Sequence, residues 1–186
     1  MRIISKAVVP ALLALLAACR SDPVHYHTLS PLLASPTQTV QASGNLTMEL
    51  LTVPPQVDRS QLVVRQGSNG LAILETDWWG ASLADELQSA LAQQLNQVQF
   101  NGKASLRVQV QRFDLVPGRY ALLDIKWRLR SAQPGGEVQE LHCQSIVQSP
   151  AGDTVQDMVR AQQGNLQKIA SMIGAAGCLA FALLAT

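Results

Sequence analysis

His25 and His27 stand two residues apart, so on a strand both imidazoles would share a face and could grip a metal ion. No third ligand lies nearby, and a polar stretch beside Tyr26 is the plainer reading. Asp85 and Glu86 form an acid pair in sequence only. Adjacent side chains on a helix point in different directions, so the two suit a helix's positive end better than acid–base work. His142 is the remaining imidazole. The chain has no G-x-x-x-x-G-K-[ST] phosphate cradle, no G-x-S-x-G elbow and no H-E-x-x-H zinc helix. Gly67-Ser68-Asn69-Gly70 reads as a turn rather than a nucleophile site. No catalytic residue, metal or cofactor is expected, and the chain is not read as an enzyme.

The thiol of Cys19 has a more definite chemistry. Arg2 and Lys6 open a leader, Val8 to Leu16 form its apolar core, and Ala17 and Ala18 precede the cysteine. That order of charge, apolar run and small residues marks a secretory signal peptide over residues 1–18. The run is shorter than the ~20 residues a membrane span needs. Leu16-Ala17-Ala18-Cys19 resembles a bacterial lipobox, which implies that Cys19 becomes the lipidated first residue of the mature protein. A plain signal peptide with an incidental cysteine is the alternative.

Cleavage after Ala18 leaves 168 of the 186 residues, enough for one domain with a core. Losing Arg2 and Lys6 leaves twelve basic residues against thirteen acidic ones, a net charge of −1. That balance gives no footprint for nucleic acid and no polybasic patch for anionic lipid. Membrane attachment therefore rests on the lipid at Cys19. Cys143 and Cys178 remain. An oxidising envelope permits a disulfide between them, but two buried free thiols are the simpler expectation.

The elements that would position these residues follow from periodicity. Residues 19–45 read as a lipidated N-terminus and tether, with Pro23, Pro31 and Pro36 and one extended stretch from Val24 to Leu29. Residues 46–174 read as the domain. Leu46 to Val53 is a strand stopped by Pro54-Pro55. Gln61–Arg65 and Leu71–Glu75 flank the Gly67 turn as a hairpin. Leu83, Leu87, Leu91 and Leu95 form a helical stripe, with Ser82 and Asp85 as a capping pair. Lys103 to Gln148 reads as a three-stranded antiparallel meander with turns at Pro117-Gly118 and Pro134-Gly135-Gly136. Its middle strand alternates Ala121, Leu123, Ile125, Trp127 and Leu129 with Leu122, Asp124, Lys126, Arg128 and Arg130, which predicts one buried and one wet face.

A last helix is predicted from Thr154 to Ile173, capped by Asp153 or Thr154. The fold class is α+β: an antiparallel or mixed β-sheet with two amphipathic helices packed on one face. Residues 175–186 are an uncharged, apolar tail, either packed on the domain or left open to a partner or membrane.

Two surface features remain. Lys126, Arg128 and Arg130 form a basic stripe, read as a solvated face partly balanced by Asp124. Trp78-Trp79 precedes the first helix. Consecutive side chains diverge, so one ring is expected to pin the helix and the other to meet a partner; Trp78 and Trp79 are both candidate partner-interface residues, with core packing of both as the alternative.

Several segments together carry a family resemblance. They are Tyr26-His27-Thr28-Leu29, Val53-Pro54-Pro55, Val57 through Arg65 (Val-Asp-Arg-Ser-Gln-Leu-Val-Val-Arg) and Trp79-Gly80-Ala81-Ser82-Leu83-Ala84-Asp85-Glu86-Leu87. They resemble the ABC-type transport auxiliary lipoprotein family, which includes paraquat-inducible protein C. The resemblance implies an outer-membrane lipoprotein on the periplasmic face. Its implied partner is an MCE-domain protein of an intermembrane lipid transport complex, and a homo-oligomeric ring is among the implied assemblies. Arg20 after the cysteine fits outer-membrane sorting. Ala81-Ser82 replaces a proline common in the family, and the tail after Gly174 departs from its usual ending. A periplasmic lipoprotein that binds or inhibits another envelope protein is the alternative function.

Overall fold

Alternating side chains between Lys103 and Pro150 organise the molecule. The computed structural model describes residues 22–30, 46–96, 98, 103–132 and 138–175. The leader with Cys19, residues 31–45, residues 99–102, residues 133–137 with the expected Pro134-Gly135-Gly136 turn, and the tail from 176 lie outside the described residues. In chain order the elements are β1 (His25–His27), β2 (Leu46–Thr52), β3 (Gln61–Gln66), β4 (Gly70–Trp79) and α1 (Leu83–Leu95), then β5 (Lys103–Val116), β6 (Tyr120–Ala132), β7 (Val138–Pro150) and α2 (Val155–Gly174).

The predicted meander is present: β5, β6 and β7 pair antiparallel. β2 joins β5 in parallel, giving a mixed sheet of order β2-β5-β6-β7. The inward row of β6, from Ala121 through Leu123, Ile125 and Trp127 to Leu129, is buried throughout. The opposite row is wet only from Lys126 onward. Leu122 and Asp124 are also buried, and Gln144 of β7 donates to Asp124 at 2.9 Å. A strand buried on both faces at one end follows from what packs there, which alternation alone does not encode.

Both helices sit as their stripes require. Leu83, Leu87, Leu91 and Leu95 of α1 are each at most 1% exposed. Ser82 caps the helix by accepting the Asp85 N–H at 3.3 Å, and its hydroxyl donates to the Asp85 carboxylate at 2.6 Å. Thr154 caps α2 likewise, accepting the Asp157 N–H at 3.1 Å. α2 packs on β6, β7 and α1. Its inner face carries two fully buried amides. Gln162 donates to the carbonyls of Asp114 and Leu122, and Asn165 donates to Ala121 O and to Gln162. Those bonds supply what buried amides need to avoid a desolvation cost.

A second sheet has order β1-β4-β3. β3 and β4 form the predicted hairpin around Gly67, whose φ of +61° suits glycine. β1 lies parallel to β4, pairing Tyr26 with Trp78. The segment expected as tether thus contributes a strand to the domain. β3 lies beside the far end of β5, where buried Asp114 accepts from Arg65 of β3 and from Arg112. The architecture is α+β, with two mixed sheets and two helices.

Candidate interaction surface

The first described residues are held by groups distant in sequence. Glu86 is buried and its Oε2 accepts from Thr28 Oγ1 at 2.8 Å and from the Leu29 N–H at 2.9 Å. Gln163 of α2 donates to the Thr28 carbonyl, and the Gly80 N–H donates to the His27 carbonyl. Leu29 is fully buried beneath these contacts. Asp85 does serve the helix dipole, but Glu86 clamps the chain's N-terminal segment. That role lies beyond periodicity, because its partners are 57 and 58 residues away.

His25 and His27 do not converge on a metal. His27 Nε2 lies 2.9 Å from Asp77 Oδ1, and His25, the register partner of Asp77, is exposed. Among the described residues no group of three or more His, Cys, Asp or Glu could hold a metal ion.

The two tryptophans divide, as consecutive strand residues must. Trp79 is 2% exposed and meets the Phe113 ring edge-on at 6.1 Å. It belongs to the core, so of the two expected contact residues it does not reach the surface. Trp78 stays partly exposed. Its indole N–H donates to the Glu75 carbonyl, and its ring stands edge-on to Tyr26 at 6.5 Å. Extra residues of β4 bulge between the Val63–Ile73 and Gln61–Trp78 pairs, which puts Trp78 on the same face as Ile73 and Leu71. Tyr26 is 69% exposed, Ile73 47% and Leu71 44%. Together they form an outward aromatic and aliphatic patch on the small sheet.

The basic stripe lies on the outward face of the larger sheet. Arg107, Arg128 and His142 stand side by side across three strands, and the next row is Gln109, Lys126 and Gln144. Like charges opposite one another repel. Glu49 relieves this with contacts to Arg107 at 3.2 Å and Arg128 at 3.6 Å, and Glu140 contacts Arg128 and His142. These carboxylates supply the balance that the sequence assigned to Asp124. A hydrogen bond from Ser105, helped by the two arginines against partial desolvation, holds the Glu49 carboxyl below its ordinary range. A hydrogen bond from His142, with Arg128, does the same for Glu140. Arg107, Lys126, Arg128 and the glutamines line an open cleft of about 510 Å³.

Cys143 is disulfide-bonded, which corrects the expectation of two free thiols. Cys19 and Cys178, the other cysteines, both lie outside the described residues.

Known proteins narrow the identity. No curated protein matches the chain. A crystal structure of an uncharacterized protein superposes with a TM-score of 0.64 at 17% identity, over 83% of this chain and 99% of that one. A protein from Xanthomonas campestris gives 0.52 at 14% identity, over 82% and 90%. At such identities these two speak for the fold alone. A minor lipoprotein from Acinetobacter baumannii, at 0.30 and 14% identity over 72% and 92%, is too loosely similar to carry an argument. The family model for the ABC-type transport auxiliary lipoprotein component matches residues 27–174, from β1 to the end of α2. The chain belongs to that family and is an auxiliary lipoprotein component of ABC-type transport.

Proposed function

We propose that this protein is an outer-membrane lipoprotein on the periplasmic face. In this reading it is a non-catalytic auxiliary of an MCE/ABC-type system that moves lipid between the two membranes. One observation carries the proposal: a leader ending Leu16-Ala17-Ala18-Cys19 stands directly before a domain of the auxiliary lipoprotein family. The thiol of Cys19 bears the lipid, and Arg20 directs the protein outward. The domain's part is to bind and position, which the absence of a nucleophile–base motif in the sequence supports. Its partner is an MCE-domain protein, with a homo-oligomeric ring of this chain as the receiving assembly. Likeness to paraquat-inducible protein C is the family subtype that fits the quoted segments.

A cross-linked affinity pull-down of the lipidated protein from intact envelopes tests the reading. Recovery of an MCE-domain protein with its permease is the expected outcome. Recovery of a soluble periplasmic enzyme alone, while a control MCE complex survives, would instead favour a binding or inhibitory lipoprotein.

A further inference from the structure

We infer that the outward patch of Tyr26, Trp78, Leu71 and Ile73 is a membrane-surface contact that seats the domain on the bilayer holding Cys19. This rests on the proposal that Cys19 is acylated. Length supplies the first support. Tyr26 is seven residues from Cys19 and is fixed in the small sheet. A fully extended chain covers at most 3.3–3.6 Å per residue, so Tyr26, the aromatic end of the patch, lies within about 25 Å of the lipid-bearing residue. Were residues 19–45 all free tether, the first fixed residue would be Leu46, up to about 95 Å away. Pairing β1 with β4 therefore keeps this face close to the headgroups.

Chemistry supplies the second support. Tyrosine and tryptophan have an apolar body and a polar tip, and they favour the membrane–water boundary. The Trp78 indole N–H already has the Glu75 carbonyl, so its ring can leave water without stranding a donor. Leu71 and Ile73 add aliphatic surface in the same plane. Glu75 is exposed, and Arg65, the register partner of Leu71, is taken up by the buried Asp114, so the contact is apolar rather than electrostatic. The acyl chains attach the protein, and the patch sets which way the domain faces.

The test uses the mature, full-length chain in vesicles of phosphatidylethanolamine and phosphatidylglycerol, with plain or brominated acyl chains. Trp79 and Trp127 are each 2% exposed, so Trp78 reports contact with lipid. Brominated lipid should quench tryptophan emission, about equally with and without added salt. Trp78→Phe should abolish that quenching, and Tyr26→Ser should reduce it while the protein stays vesicle-bound. Intact mass separates the two readings. A mature chain without acyl groups on Cys19 would overturn the lipoprotein proposal and this inference together. An acylated chain with equal emission in both vesicles would overturn the inference alone. Emission that tracks protein density rather than bromine would overturn it in favour of a second copy on the patch.

Discussion

Removing the Glu86 carboxylate should loosen the N-terminal strand before anything else. Glu86→Ala leaves the buried Leu29 N–H without an acceptor, a loss of about 1–3 kcal/mol by the usual cost of an orphaned buried donor. A lowered urea midpoint checks the loss, and faster exchange at the β1 amides should localise it. Thr28→Ala, which removes an exposed partner, should have a smaller effect. Acid should act on the larger sheet. Glu49 and Glu140 titrate below their ordinary value of 4.5 in the fold, so their contribution is complete above that value and is lost as pH falls through the lowered folded values. Unfolding of the Glu49→Gln, Glu140→Gln double variant should depend less on pH below about 4.5 than that of the wild type. Asp85 was legible in the sequence because its partner Ser82 is three residues away. Glu86 was not, because nothing local records a partner more than fifty residues distant.

The elements were legible where their period was strong. Leucines every fourth residue marked α1, and strict alternation marked β6. β1 has three residues and no period to read, and its sheet partner lies beyond the hairpin turn. The parallel addition of β2 to β5 is equally non-local, so two sheets appear where the sequence suggested one. Two glycines, one inside α2 and one in the β5–β6 turn, should respond in opposite ways. Gly164 lies inside α2 with open space where a Cβ would go, so Gly164→Ala should stabilise by about 0.5–1 kcal/mol in thermal unfolding. Gly118 has a φ of +66°, and an added Cβ would run into the Asp153 carboxylate. Gly118→Ala should lower the melting temperature. Ser82→Ala should cost about 1 kcal/mol through the lost N-cap.

At the scale of the whole molecule, both helices pack inward, and the sheets present two unlike outer surfaces. One is the aromatic patch beside β1, and the other is the cleft lined by Arg107, Lys126 and Arg128. Of the contact surface, the sequence showed that a tryptophan pair was unusual but not which ring was buried. The β4 bulge and the approach of Phe113 decide that, and both depend on tertiary packing.

The tie between Thr28 and α2 also bears on timing. Thr28 is held by Gln163, which lies 135 residues later. Contacts at such separation close late, because a long loop must be ordered before they form. On the acylation proposed above, an exported chain would offer Cys19 to the acylating enzyme before this bond closes. The Gln163 bond then adds the last tie to this segment, after those from β4, Gly80 and Glu86. Truncation before Val155 should leave acylation intact but make residues 22–30 more open to protease than in the full chain.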